Sequence, residues 1–282
     1  MKLRACLIAV VLFWARGAAA YENIDVQGLK VAVWLPKGSI VGAPVIIFSH
    51  GHRSCNVQSM FLMDALANAG YVVFAPNHKD ATCNGGQAQG KEDVGDMSKD
   101  VWDWDENTYS DRFDDVRKVL SMLSYDQRYY AIDWHNVGLV GHSLGGYTVL
   151  AFGGGWASVK DGNVRAILAL SPYYQPYMVK NMLEKIDVPV MYQSGTFDRY
   201  ITPGMVQKGG VYDQAKPPKY YVKIDGASHY SFTDISDDHH DVMSAYAVAF
   251  FDTYLKDKPF PEALTQKMPG VGELRIKLPV PQ

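Results

Sequence analysis

Val137-Gly138-Leu139-Val140-Gly141-His142-Ser143-Leu144-Gly145-Gly146 is the stretch that decides the fold. An apolar run ends in Gly-x-Ser-x-Gly, and a helix-compatible run, residues 147–152, follows. The order is strand, sharp turn, helix, with a serine on the turn. Such a turn strains the serine backbone and lifts Oγ clear of the sheet. Its neighbours must be small, which accounts for Gly141 and Gly145. The helix N-terminus beside the serine favours developing negative charge.

Outward from this turn, short apolar runs alternate with helical patterns. Residues 24–35 alternate and predict an antiparallel edge hairpin, ended by Pro36. Residues 44–49 and 71–75 are continuous apolar runs, as buried parallel strands require. Between them, residues 57–69 have helical spacing and stop at Gly70. Residues 110–123 form an amphipathic helix with Val116, Val119, Leu120 and Leu123 on one face. Beyond the strand at 137–140, residues 164–170, 188–193 and 220–224 are further strands, and 241–255 a closing helix. Strands alternating with helices predict an α/β fold, a mainly parallel central sheet with helices on both faces.

Length and composition agree with one large domain over residues 21–282. The chain has 282 residues, 48% hydrophobic and 20% charged, enough for a sizeable core. Residues 1–20 read as a secretory signal: Lys2 and Arg4, an apolar stretch over 5–14, then Ala18-Ala19-Ala20 before Tyr21. The apolar stretch is too short for a comfortable membrane span, so no stable membrane insertion is expected. Cleavage after residue 20 leaves 24 basic against 30 acidic residues, a net charge of −6. An acidic chain argues against nucleic acid or anionic lipid as a partner. Export to the periplasm or outside the cell makes a Cys55–Cys83 disulfide the expected state of the two remaining thiols, both in loops after predicted strands.

A serine hydroxyl attacks only when a base takes its proton and a third group orients that base. After the strand ending at Gln193 comes Ser194-Gly195-Thr196-Phe197-Asp198, which makes Asp198 the candidate acid. After the last predicted strand comes Asp225-Gly226-Ala227-Ser228-His229, a tight loop that can return His229 to Ser143. Ser143, His229 and Asp198 are therefore the expected nucleophile, base and orienting acid. The oxyanion donors expected are the backbone N–H groups of Leu144 and of His52, the latter in Ser49-His50-Gly51-His52-Arg53-Ser54. The side chain of His50 is expected to hold neighbouring loops. His239 and His240, flanked by Asp237, Asp238 and Asp241, read as a solvated helix start rather than a metal site. No metal and no organic cofactor is implied.

Residues 77–109 are polar and irregular, and a loop of that length is expected to shape a pocket. Within it, residues 101–106 (Val-Trp-Asp-Trp-Asp-Glu) read as a packed loop. Arg112 and Asp115, three apart on the following helix, read as a structural ion pair.

Together, Ser49-His50-Gly51, Gly141-His142-Ser143-Leu144-Gly145-Gly146, Gly195-Thr196-x-Asp198 and Gly226-Ala227-Ser228-His229 resemble the α/β-hydrolase superfamily. The pattern is most similar to the branch of dienelactone-hydrolase-like proteins, platelet-activating-factor acetylhydrolases and cutinase-like polyesterases. The resemblance covers roughly residues 44–255. It implies an exported serine carboxylic-ester hydrolase acting on short-chain or aryl esters, with a small or polymeric ester as its partner. Polyester hydrolysis and phospholipid acyl hydrolysis are sharper alternatives within that chemistry. A serine peptidase, or a non-catalytic binding protein on the same fold, are the alternatives outside it. True dienelactone hydrolases carry a cysteine nucleophile, which Ser143 replaces. Where the polyesterases place a Pro-Trp clamp, this chain has Pro172-Tyr173, so Tyr173 and Tyr174 are the expected substrate-binding residues. Acyl length, leaving group and oligomeric state are not legible in the sequence.

Overall fold

In the computed structural model the described residues are 21–83 and 99–280. The expected leader, residues 1–20, and part of the long loop lie outside them. Nine strands form one sheet: β1 (Tyr21–Val26), β2 (Leu29–Trp34), β3 (Pro44–Ser49), β4 (Val72–Pro76), β5 (Asp133–His142), β6 (Val164–Leu170), β7 (Val190–Gly195), β8 (Lys219–Ile224) and β9 (Val271–Lys277). Their spatial order is β1-β2-β4-β3-β5-β6-β7-β8-β9. Strands β4, β3, β5, β6, β7 and β8 run parallel to their neighbours. β1, β2 and β9 are antiparallel additions at the two edges.

The apolar strands are explained by cover on both faces. In β3, Val45 and Ile47 enter one core while Ile46 and Phe48 enter the other; in β4, Val72 and Phe74 oppose Val73 and Ala75 in the same way. Four longer helices supply the cover: α1 (Met60–Asn68), α2 (Ser110–Leu123), α3 (Leu144–Leu150) and α4 (His240–Leu255). α1 and α4 pack on one face through Leu62, Met63 and Leu66 against Met243, Tyr246 and Phe250. α2 and α3 pack on the other through Phe113, Val116 and Val119 with Tyr147 and Leu150. Each such side chain stabilises the fold by about 1.5–3 kcal/mol through burial.

The fold is the α/β-hydrolase fold expected from the sequence. β3 and β6 occupy the predicted residues, and β5 begins four residues earlier than predicted, at Asp133. β9 was not predicted. It pairs with β8 at the sheet edge, and its residues are only half-buried, so it lacks a strong apolar pattern. The Cys55–Cys83 disulfide is present, with Cα atoms 5.6 Å apart, and ties the loop after β3 to the loop after β4. Among the described residues no helix is long and apolar enough to cross a membrane.

Candidate active site

Ser143 sits between β5 and α3 with φ 54° and ψ −117°. This is a strained conformation for a residue with a side chain, and strain of that kind concentrates where geometry is functional. Close packing enforces the turn. A Cβ at Gly141 would collide with the Gly145 carbonyl, and one at Gly145 with the Ser49 carbonyl. Leu144 is the first residue of α3, so its N–H belongs to the unpaired first turn of the helix.

His229 and Asp198 come from the loops after β8 and β7, two neighbouring strand ends. His229 Nδ1 lies 2.6 Å from Asp198 Oδ2. Asp198 Oδ1 accepts the Ile201 N–H at 3.1 Å. Burial alone would raise the Asp198 pKa. The hydrogen bond and charge of His229, with the other donors, outweigh burial and hold the carboxyl below its usual range. Asp198 therefore stays ionised, as a group that orients an imidazole must.

Ser143, Asp198 and His229 line one cavity of about 570 Å³ with Tyr173, Gln175, Phe197, Arg199, Tyr200, Ile201, Ser228 and Tyr230. Phe197, Tyr200 and Tyr230 are 64%, 90% and 61% exposed, so aromatic side chains ring its mouth. A larger hollow of about 750 Å³ is lined by Tyr125, Tyr130, Trp134 and His135 near the start of β5. It lies at the opposite end of that strand from Ser143.

The two expected substrate residues part company. Tyr173 lines the cavity, its N–H bonded to the Ser143 carbonyl at 2.8 Å and its ring 4.9 Å from that of Trp104. Tyr174 is only 3% exposed, and its hydroxyl donates to the Ile201 carbonyl at 3.2 Å. It backs the cavity wall and does not line it, which corrects the expectation of direct contact. Trp104 is buried against Tyr147 and Tyr173, as a packed loop requires. Trp102 is largely exposed. His240 stacks on Phe61 at 3.5 Å.

Gly51 comes close to Ser143: a Cβ there would be 3.5 Å from Ser143 Cβ. This puts the His52 peptide next to Ser143. The loop is held by Gln58, which the sequence did not single out, by His50, which it did, and by Arg112. Gln58 Oε1 accepts the Gly51 N–H at 2.9 Å, and Gln58 Nε2 lies 3.0 Å from His142 Nδ1. His50 Nε2 accepts the His78 N–H at 3.0 Å, which leaves Nδ1–H to donate to Gly51 O at 2.8 Å. Arg112 does not pair with Asp115, contrary to expectation. It forks onto Asp80 at 3.1 and 2.7 Å, while Asp115 pairs with His78 at 2.9 Å. The available signal was helical spacing: Arg112 shares the inward face of Val116, Val119 and Leu123, where a charge must find a buried partner.

No individual curated protein matched the chain with significance. Residues 29–253, which include every candidate catalytic residue, match the chlorophyllase family. That family falls within the α/β-hydrolase superfamily, in the branch of the platelet-activating-factor acetylhydrolases and dienelactone hydrolases, and its chemistry is carboxylic-ester hydrolysis. The chain belongs to the chlorophyllase family of α/β-hydrolases.

Proposed function

We propose that this protein is an exported serine carboxylesterase acting through Ser143, His229 and Asp198 on short-chain or aryl esters. The observation that carries the reading is the strained Ser143 turn sharing one cavity with a His229–Asp198 pair at 2.6 Å. With Nδ1–H directed to Asp198, the His229 Nε2 lone pair is available to take the Ser143 proton. Ser143 Oγ then bonds to the acyl carbon, and the carbonyl electrons move onto oxygen. The N–H groups of Leu144 and His52 stabilise that oxyanion. Collapse expels the alcohol, protonated by His229, and leaves an acyl-serine. Water, deprotonated by His229, repeats the sequence and releases the acid. The pattern of residues 1–20 and the Cys55–Cys83 disulfide support export.

The exposed ring of Phe197, Tyr200 and Tyr230 favours a second reading, hydrolysis of bulkier esters such as polyesters or phospholipids. The family's name adds chlorophyll to the bulky esters worth assaying.

The test is hydrolysis of nitrophenyl esters from acetate to palmitate by the chain from Tyr21, beside Ser143→Ala. Ser143→Ala should lower kcat by about 10⁴-fold or more with the fold intact. Turnover by that variant at the parent rate would sink the assignment. A folded parent inactive on every ester would favour the peptidase or binding reading.

A further inference from the structure

Arg112 is fully buried in the first turn of α2, and a buried guanidinium is retained only where its charge and donors are matched. Asp80 matches the charge through the two-pronged contact. Burial opposes ionisation of Asp80, but Arg112 outweighs it and holds the carboxyl well below the usual range. The remaining guanidinium donors reach Ser49 Oγ at 3.5 Å and two main-chain carbonyls of the loop after β3. Nη1 donates to His50 O at 2.8 Å, and Nη2 to Gly51 O at 3.2 Å. Gly51 O also receives His50 Nδ1–H at 2.8 Å and the Ser54 N–H at 3.2 Å.

The geometry of one peptide unit turns these contacts into chemistry. Pro217–Pro218 is the cis bond among the described residues, so the Gly51–His52 peptide is trans. In a trans peptide the C=O and N–H point in opposite directions within one plane. Holding Gly51 O toward Arg112 therefore turns the His52 N–H the other way. The preceding peptide is fixed at both ends too, its carbonyl on Arg112 and its N–H on Gln58. Charge-assisted donors on a carbonyl also polarise the whole amide and strengthen its N–H as a donor.

We propose that Arg112, neutralised by Asp80, is a positioning residue for the oxyanion hole: it pins and polarises the Gly51–His52 peptide so that the His52 N–H meets the tetrahedral oxyanion on Ser143. This rests on the reading of Ser143 as nucleophile. A guanidinium that merely held α2 to the loop would matter for stability. One that aims an oxyanion donor matters for the transition state and little for ground-state ester binding.

The experiment compares parent, Arg112→Met and Arg112→Lys on nitrophenyl acetate. It also measures inhibition by phenylboronic acid, which forms a tetrahedral adduct on an active serine. For Arg112→Met, kcat should fall on the order of tenfold to a hundredfold, with KM within about twofold and boronate affinity falling in parallel with kcat. Arg112→Lys keeps a charge opposite Asp80 but lacks the fork that reaches two carbonyls, so its loss should be intermediate. It also decides the matter if the Met variant does not fold. A folded Arg112→Lys with parental kcat and boronate affinity overturns the proposal, as does a kcat loss that only tracks the folded fraction. A parent without Ser143-dependent esterase activity overturns the underlying reading, and this inference with it.

Discussion

His142 Nε2 lies 3.0 Å from the backbone carbonyl of His229, so the residue before Ser143 holds the His229 loop. The network fixes the tautomer. Gln58 must present Oε1 to the Gly51 N–H, so its Nε2 donates to His142 Nδ1 and the His142 proton resides on Nε2. One neutral imidazole thus joins the loop after β3, the Ser143 turn and the His229 loop. α1 reinforces the join: the Met60 and Phe61 N–H groups donate to Asp234, and Ser59 Oγ donates to the Phe232 carbonyl.

His142 should make the fold acid-sensitive. Burial, and then the neighbouring His229, push its pKa down to about 3. An unfolded histidine titrates near 6.5. Between those values the unfolded chain holds a proton that the native chain refuses, so stability falls as pH drops through that window. His142→Gln should flatten the acid limb of stability in urea melts taken from pH 7 to pH 4. An unchanged limb would mean that other groups govern it.

Asp115 should act in the opposite direction. Burial drives its pKa up to about 7, with the charges of Lys118 and Arg112 opposing the shift. His78, driven well below its usual value by burial and Arg112, remains the neutral partner. The native chain then keeps a proton that the unfolded chain gives up near pH 3.9. Stability from this site is full at low pH, declines as pH rises from about 4 to about 7, and is level above that. Asp115→Asn should match the parent near pH 4 and exceed it at pH 8 in denaturant melts. Equal stability at both would refute the raised value.

Loss of the disulfide should weaken the fold and the loop after β3 together. The bridge closes a separation of 28 residues, which corresponds to about 3–4 kcal/mol in the chain-entropy model. Cys55→Ser with Cys83→Ser should show a lower Tm by that measure. Reduction of the parent by dithiothreitol should reproduce the drop and leave the double variant unmoved.

The aromatic ring should act on substrate preference alone. Tyr200→Ala and Phe197→Ala remove exposed side chains, so stability should change by no more than about 0.5 kcal/mol. KM for long-chain or aryl esters should rise severalfold while acetate is unaffected. Equal effects on every ester would place these residues outside the substrate contact.

The legible parts of this molecule are those fixed by local rules. β3 and β6 read to the residue because both faces are covered along most of their length, so all but Ser49 and Arg165 are apolar. Ser143, Asp198 and His229 could be placed because each follows a strand end, where the fold collects its loops. Arg112, Asp80 and Gln58 were not legible as supports of the loop after β3. Asp80 is 32 residues from Arg112, and His142 is 84 from Gln58, so only the assembled sheet brings them together. Tyr174 was misplaced because adjacent side chains in a loop diverge, and neither period nor chemistry shows which turns inward.

The two outer strands carry a consequence for how copies of this chain meet. A sheet edge exposes unpaired backbone groups that can accept a strand from another molecule. β1 carries Glu22 and Asp25, with Lys30 facing it from β2. β9 carries Glu273, Arg275 and Lys277, with Glu273 bonded to Lys223. An incoming strand would have to strip water from these charges along both margins. The charges on both borders thus oppose growth of the central sheet by addition of a strand from another copy.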